Sequence, residues 1–256
     1  MKKFLSNKKV RKVLLFICVV VFLFCAYNLG KIAYDYWKIS QGTDDMIEEY
    51  VEEVEEEEEE EEEFDPLSRT IDFESLLERN SDVVGWIYIP GTNIDEALLQ
   101  GDDNDEYLRA DVDGEYNYAG SLFMSCNNSS DLTDMNSIIY GHNMKNGTRF
   151  HDLRYYINNY ETYFEEHPMV YIYLPDGSVN CYQIIASATI DSDSDFYSIR
   201  SDYEAYIEEI ESTAYYKVDY DEEESPIIML STCHSSIDDA RYVVWAKLTE
   251  NLKSDE

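Results

Sequence analysis

A cysteine, a histidine and an arginine stand at the ends of strand-like stretches, and together they suit acyl transfer. Cys233 ends the apolar run 226–233, and Arg241 follows it by eight residues and opens the next run. His142 ends a separate run at 137–142. A strand end is a rigid mount for a reactive side chain. A sulfur nucleophile, an acid/base and a cation for developing oxyanion charge are the minimum set for acyl transfer.

Each of these residues also has a structural interpretation. Free cysteines are often buried, but the chain becomes polar directly after Cys233, which favours an accessible thiol. Arg241 could instead be a surface residue paired with Asp238 or Asp239. Ser231 precedes Cys233 by two residues, so we expect it on the same side of the strand, where it could contact substrate backbone.

The four histidines differ in their prospects. His142 lies at a strand-to-loop boundary, from which an imidazole can reach a cleft. His234 adjoins Cys233, but successive side chains on a strand point to opposite faces, so it is the weaker candidate. We expect His151 at the surface of a helical stretch and His167 at a turn before a proline. His142 is therefore the predicted acid/base.

Five short segments of the chain resemble the sortases, and within them the class B sortases, in type and order. They are GWIYIPGT at 85–92, GSLF at 120–123, YGHNM at 140–144, LSTC at 230–233 and ARYVV at 240–244. The resemblance runs from about residue 72 to residue 248. The LSTC segment alone is a weak signal, whereas the ordered set is specific.

The resemblance implies a fold and a reaction. The fold is an eight-stranded β-barrel with decorating helices. Cys233 would hold an acyl group as a thioester, His142 would act as acid/base, and Arg241 would bind the substrate carbonyl or the oxyanion. The substrate would be a C-terminal sorting signal on a secreted protein, cleaved after its threonine. The acceptor would be an amine of a lipid-linked cell-wall precursor or of a pilin, and no cofactor is needed.

Two other functions remain open at this stage. A cysteine protease would pass the same acyl group to water instead of an amine. A non-catalytic surface-binding module would use none of the three residues. The spacing between Cys233 and Arg241 is shorter than expected for class B, which leaves the substrate motif open.

The N-terminal quarter predicts a membrane anchor. Residues 1–12 are basic, and residues 13–30 are uncharged and apolar, close to the minimum length for one membrane-spanning helix. The basic cluster places the N-terminus in the cytoplasm and the catalytic domain outside the cell. A cleaved signal peptide competes with this interpretation. Such a peptide needs small residues before the cleavage site, but the candidate site at 23–27 reads LFCAY, which is bulky.

An acidic spacer and one catalytic domain are predicted to follow. Residues 31–63 end in nine consecutive glutamates, which repel one another and favour an extended, solvated linker. Residues 64–256 are enough for one domain with a substantial core. The whole chain carries a formal net charge of −36, which disfavours nucleic acid as a partner.

The folded part reads as mainly β. Eight strand-like runs occur at 83–90, 96–100, 120–126, 137–142, 169–174, 179–190, 226–233 and 241–249. Helical patches are predicted at 148–163 and 201–213, and Asp72 is expected to cap a short helix. We expect Cys126 and Cys181 to be buried small hydrophobes. Neither acidic cluster, at 102–105 or 191–195, has the spacing of a metal site.

Overall fold

The computed structural model of the chain describes residues 8–53, 64–221 and 223–253. Its helices are α1 (Lys8–Tyr50), α2 (Phe73–Arg79), α3 (Tyr155–Asn158), α4 (Tyr160–Glu166) and α5 (Tyr203–Thr213). Its strands are β1 (Val51–Glu53), β2 (Arg69–Ile71), β3 (Val83–Tyr88), β4 (Asp95–Leu99), β5 (Leu122–Met124), β6 (Asn136–Tyr140), β7 (Met169–Tyr173), β8 (Ser178–Asp191), β9 (Tyr216–Lys217), β10 (Ile227–Cys233) and β11 (Ala240–Lys253).

Eight strands close into a barrel. They pair in the order β11-β10-β6-β5-β4-β3-β7-β8, and a further pairing between β8 and β11 closes the ring. The short strand β9 adds to β8 outside it. Each of the eight predicted strand-like runs overlaps one barrel strand. The predicted mainly β barrel with decorating helices is confirmed.

Alternation along the strands divides the core into an inside and an outside. Ile228 and Leu230 of β10 pack in a cluster that draws residues from all eight barrel strands, so these side chains fill the interior. Ile227 and Met229 face the other way and pack with Tyr206 of α5. A strand covered on both faces reads as a continuous apolar run, which explains the sequence 226–233.

The helices follow the predicted signals with one difference. Asp72 caps α2 by accepting a hydrogen bond from the backbone N–H of Ser75 at 3.0 Å, as predicted. The predicted helical patch at 148–163 is divided into a 3-10 turn (Phe150–Arg154), α3 and α4. The division between α3 and α4 falls at Asn159, whose backbone leaves the helical region (φ −130°, ψ 33°).

The spacer predicted for residues 31–63 is wrong for part of its length. Residues up to Tyr50 are helical, β1 pairs antiparallel with β2, and a compact unit begins at Thr43. Tyr50 is only 4% exposed because its ring packs in the same cluster as Phe73 and Leu76. Apolar residues placed among the charges therefore attach this segment to the domain. Residues 54–63, which hold the glutamate run, lie outside the described residues.

A buried arginine fixes β2 to the barrel. The Arg69 side chain is fully buried and donates to the Asp95 carboxylate at 2.6 Å. It also lies over the Tyr88 ring, with the guanidinium 4.2 Å from the ring centroid, and pairs with Glu53 of β1 at 3.4 Å. Since Glu53 lies opposite Arg69 in the β1–β2 register, β1 and the barrel share this cation.

The N-terminal unit, 1–42, contains most of helix α1. Within 11–50 this helix is long and apolar enough to cross a membrane. A secretory signal sequence would meet the same criterion, so length and composition identify only a candidate span.

We expect a soluble chain beginning at Thr43 to be more stable than one beginning at Phe64, although both should fold. The shorter chain exposes the cavity left by Tyr50, whose burial contributes about 1.5–3 kcal/mol, and removes the β1 partner of β2. A loss of this size lowers the melting temperature of such a domain by roughly 4–10 °C. Calorimetry of the two chains measures it, with the exposed change Glu52→Gln as the neutral control. Equal melting temperatures would show that residues 43–53 add nothing to the domain.

Candidate active site

The parallel pairing of β6 and β10 brings His142 and Cys233 to one edge of the barrel. The register runs from Asn136 opposite Ile227 to Tyr140 opposite Ser231. The Gly141 N–H then donates to the Ser231 carbonyl at 3.2 Å, which continues the ladder beyond the strand. His142 follows β6 by two residues and Cys233 follows Ser231 by two, so both leave the paired strands at the same edge. The Asn143 side chain donates to the Cys233 carbonyl at 3.0 Å, which holds the segment after β6 beside the end of β10.

The other flank of Cys233 is β11. In the antiparallel β10–β11 register, Cys233 lies directly opposite Arg241. The His234 N–H donates to the Ala240 carbonyl at 3.0 Å, which closes the hairpin between the two strands. The structure therefore brings the three predicted residues to one edge of the barrel: Cys233 ends β10, Arg241 lies opposite it on β11, and His142 follows β6 on the other side.

These residues line one groove. It has a volume of about 340 Å³, and its walls include Cys233, His142, Arg241 and Ser231. The remaining lining residues are Asn104, Leu108, Phe123, Tyr140, Gly141, Ser192, Tyr197 and Thr232. All four site residues predicted from the sequence therefore face the same space.

Cys233 differs from the other cysteines of the domain in exposure. It is exposed at the end of β10, whereas Cys181 is buried, and burial raises the pKa of the Cys181 thiol to about 12. Cys126 is half-buried, not buried as predicted, because it follows β5 in a turn that Asn104 holds by a side-chain bond to its N–H at 2.9 Å. All three thiols are free.

The His142 ring is half-buried and held by one hydrogen bond. Its Nε2 lies 2.9 Å from the Leu108 carbonyl oxygen. A carbonyl only accepts, so Nε2 carries the proton and Nδ1 is the basic nitrogen. Burial lowers the pKa of His142 below its usual range, and the charges of Arg109 and Arg149 lower it further. The bond to Leu108 acts in the opposite direction.

Gly141 is required for the approach of the His142 segment to the barrel. A Cβ at this position would lie 2.8 Å from the Phe150 ring, a separation that real side chains do not adopt. The Phe150 N–H in turn donates to the His142 carbonyl at 3.0 Å. The glycine thus lets the histidine backbone bond to the turn that follows it.

The Arg241 guanidinium is oriented by carbonyls. Its Nη1 donates to the carbonyls of Ala240 at 2.9 Å and Asp238 at 3.2 Å. Among the described residues, it has no carboxylate within ion-pair distance, so the suggested pairing with Asp238 or Asp239 side chains does not occur. Neutral carbonyls position the guanidinium, and no carboxylate among the described residues pairs with it to offset its positive charge at the groove.

Ser231 has a partner that the sequence did not indicate. Its hydroxyl lies 2.8 Å from the Tyr197 hydroxyl, and the Tyr197 ring stacks on Tyr140 with centroids 6.1 Å apart. Burial raises the pKa of Tyr197, while its bond to Ser231 and the Arg241 charge lower it. Tyr197 follows an acidic segment far from the other site residues in the chain, and no spacing marks it in advance.

The other histidines lie outside this groove. The His234 ring packs against the Tyr242 ring at a tilt of 35°, with centroids 4.4 Å apart, and its Nδ1 accepts from the N–H groups of Ser236 and Ile237, both at 3.1 Å. It therefore organises the β10–β11 turn. His167 follows α4 and its Nδ1 lies 2.8 Å from the Pro90 carbonyl.

His151 is not the surface residue that the sequence suggested. It is 8% exposed in the 3-10 turn, because Phe150 and Leu153 of that turn insert into the barrel core and draw the segment inwards. Burial also lowers the pKa of His151. Within the described part of the chain, no three histidine, cysteine or acidic side chains come together in a way that could hold a metal ion.

Comparison with known proteins gives the family of this fold and site. The Sortase domain family matches residues 87–249. Sortase B of Listeria monocytogenes is 31% identical over 93% of this chain and 96% of its own. The crystal structure of sortase B from Clostridium perfringens superimposes with a TM-score of 0.63 at 31% identity, covering 69% of this chain and 99% of that one.

A further structure shows a relative with its ligand. The Staphylococcus aureus sortase B–substrate complex superimposes with a TM-score of 0.64 at 28% identity, covering 72% of this chain and 85% of that one. The family match spans well over half of the chain, and the Listeria protein is similar over almost its full length. The chain therefore belongs to the sortase family, within class B, and is a cysteine transpeptidase.

Proposed function

We propose that the protein is a membrane-anchored transpeptidase that cleaves a C-terminal sorting signal on secreted proteins. The acyl group then passes to an amine of a lipid-linked cell-wall precursor or of a pilin. The observation that carries the proposal is the exposed Cys233 thiol in a groove that His142 and Arg241 also line. Arg241 lies opposite Cys233 on β11, and His142 follows β6, the strand paired with β10 on its other side.

Cys233 is the proposed nucleophile. Its thiolate attacks the carbonyl carbon of the scissile peptide bond, and the sulfur–carbon bond forms as the carbonyl oxygen gains negative charge. Arg241, opposite Cys233 in the β10–β11 register, supplies the donor and the charge for that oxygen. Collapse of the intermediate breaks the carbon–nitrogen bond and leaves a thioester on Cys233.

His142 is the proposed acid/base. It takes the proton of the Cys233 thiol as the thiolate forms and gives it to the leaving amine, since an amine anion is a poor leaving group. It then removes a proton from the incoming amine and returns it to the Cys233 sulfur when the thioester is broken. The neutral ring has Nε2–H bonded to Leu108, which leaves Nδ1 to carry the proton that is exchanged. Its lowered pKa favours the neutral form, so the ring returns readily to its basic state after each proton transfer.

Ser231 is proposed to contact the substrate backbone. It lies two residues before Cys233 on the same face of β10 and lines the groove. Its hydroxyl is shared with Tyr197, so it can donate to a substrate carbonyl while it accepts from the tyrosine. A hydrolase would use the same thiol and groove, whereas a non-catalytic module would use none of the three residues. The exposed thiol beside an imidazole and a guanidinium that makes no ion pair with the described residues favours catalysis over the non-catalytic module.

The proposed location is the outer face of the cell membrane. Residues 13–30 lie in the helix that can cross a membrane, and the basic residues before it favour a cytoplasmic N-terminus. A single anchor would hold the enzyme on the surface where secreted substrates and lipid-linked amines meet. This arrangement increases their effective concentration at the groove.

A peptide library tests the function directly. The soluble chain beginning at Thr43 is incubated with sorting-type peptides, with and without a primary amine, and the products are identified by mass spectrometry. We expect cleavage, with an amide product when the amine is present and none with Cys233→Ala. Cleavage to a free acid regardless of amine would identify a hydrolase, and binding without cleavage would identify a non-catalytic module.

The change Arg241→Lys should lower turnover by about 100-fold or more, since loss of one oxyanion donor typically costs that much. Lysine keeps the charge but lacks the planar, forked donor geometry. The melting temperature should hardly change, because Arg241 makes no ion pair with the residues that the structure describes. Arg200→Lys, which affects an arginine paired with Glu209 at 2.9 Å, is the matched control. Near-normal turnover of Arg241→Lys would remove Arg241 from the mechanism.

The His142 ring should titrate below its usual pKa of 6.5. Its burial and two neighbouring arginines disfavour the charged form. Arg109→Ala should raise the midpoint, since it removes one of those positive charges, whereas Arg200→Ala should leave it in place. NMR of ring carbon protons as a function of pH measures both. A midpoint at or above 6.5 in the unmodified protein would contradict this account of the site.

A further inference from the structure

A buried ion pair lies beneath the His142 segment. Glu96 of β4 is 7% exposed and Arg149 is 8% exposed, and the Arg149 Nη1 contacts the Glu96 Oε2. The Arg149 N–H also points to Glu96 Oε1 at 3.3 Å. The pair therefore joins the barrel wall to the turn that follows His142 by both a side-chain and a backbone contact.

Through Gly120, Arg149 contacts the segment whose carbonyl accepts the hydrogen bond from the His142 ring. The Arg149 Nε donates to the Gly120 carbonyl at 2.9 Å. Gly120 has a left-handed backbone (φ +56°) and lies so close to Leu108 that a Cβ would stand 2.6 Å from the Leu108 carbonyl oxygen. That oxygen is the one to which the His142 Nε2 is bonded. Arg149 thus holds the segment that presents the acceptor to the imidazole.

Arg149 also reaches the backbone side of His142. It forms an isolated β-bridge with Asn143, and its neighbour Phe150 donates to the His142 carbonyl. The Arg149 backbone lies in the left-handed region (φ +60°), which is unfavourable for a residue with a side chain. Such a conformation persists only when surrounding contacts determine it, and the bond to Glu96 is one of them.

We propose that Glu96 and Arg149 are positioning residues for His142. The ion pair fixes both the carbonyl that accepts from the imidazole and the turn that holds the His142 backbone. The inference rests on the proposed acid/base role of His142. It assigns to two residues outside the groove the task of keeping that ring in place.

Stability alone gives little reason for this pair. Burying two charges costs about as much solvation energy as their attraction returns, so a buried ion pair is weak evidence of a stabilising role. A positional role explains why the charge and the forked donor are both present. Nη1 binds the carboxylate while Nε binds Gly120, and a lysine could not make both contacts in this geometry.

The chain supplies a matched control on the same strand. Asp95 precedes Glu96 on β4 and therefore faces the other side of the barrel wall. It accepts from the buried Arg69 and from Trp86 Nε1, and neither of these residues lines the groove. Asp95→Asn and Glu96→Gln thus neutralise two adjacent carboxylates, each paired with a buried arginine, and only the Glu96 pair leads to His142. The Asp95 side chain is 16% exposed and that of Glu96 8%.

The test uses the full chain in detergent micelles, with ¹⁵N-labelled histidine. For each variant we measure the melting temperature, kcat and KM for peptide cleavage, and the Nε2–H signal of His142. Both variants should lower the melting temperature. Only Glu96→Gln should reduce kcat, by about 10-fold or more since small displacements of catalytic groups have large effects, and only it should shift or broaden the His142 signal. KM should change less than kcat.

A kcat for Glu96→Gln within twofold of that for Asp95→Asn, with an unchanged His142 signal, would overturn the proposal. If Glu96→Gln fails to fold, the double variant Glu96→Leu/Arg149→Met replaces the charges by apolar side chains of similar size. We then expect the double variant to fold. Its kcat should stay below that of the unmodified protein, and its His142 signal should stay shifted or broadened. The Nε2–H signal of His142 separates the proposed function from the proposed positioning role. An inactive unmodified protein would refute the function, and the effect of Glu96→Gln on the His142 signal would still test the positioning role.

Discussion

The parallel pairing of β6 with β10 is the constraint on which the rest of the site depends. Parallel strands end at the same edge of a sheet, so His142 and Cys233 leave the barrel together. They come from distant parts of the chain: the Asn143 side chain donates to the Cys233 carbonyl, and these two residues are 90 positions apart. A slip of one residue would turn Cys233 towards the interior, because side chains alternate between faces. The register is therefore as much a part of the site as the side chains.

Packing on both faces of β10 protects that register. Leu230 lies in the barrel interior and Met229 beneath α5, so a slip would exchange two fully packed sets of side chains. Burial along β10 continues through Thr232, and Cys233 at the end of the strand is exposed. β10 pairs on both sides, and closure through the β8–β11 pairing leaves β11 without a free edge and holds Arg241 in place. Cys233 is therefore held by a rigid strand and is also exposed.

The strands and the three candidate residues could be predicted because their signals are local. A run of apolar residues that ends in a polar turn marks a strand end, and the ordered motifs mark the family. Tyr197 and the Glu96–Arg149 pair could not be predicted in this way, because their roles arise from contacts between segments far apart in sequence. For Glu96 and Arg149 this separation is 53 residues.

Two of the wrong predictions have a common origin. The polar character of the local segments predicts His151 at the surface and residues 43–53 within the spacer. Each is buried or paired because apolar neighbours, Phe150 in one case and Tyr50 in the other, bring the segment onto the barrel. The composition of a segment indicates whether it can be exposed to solvent, whereas the packing of a few large side chains decides where the segment lies.

The most direct test of the account is to locate the covalent intermediate. The enzyme is quenched in acid during turnover of a sorting-type peptide without added amine, then digested and mapped by mass spectrometry. The account predicts a thioester on the peptide that contains Cys233, and none on those that contain Cys126 or Cys181. An adduct on either of the latter, or turnover without any acyl-enzyme, would contradict it.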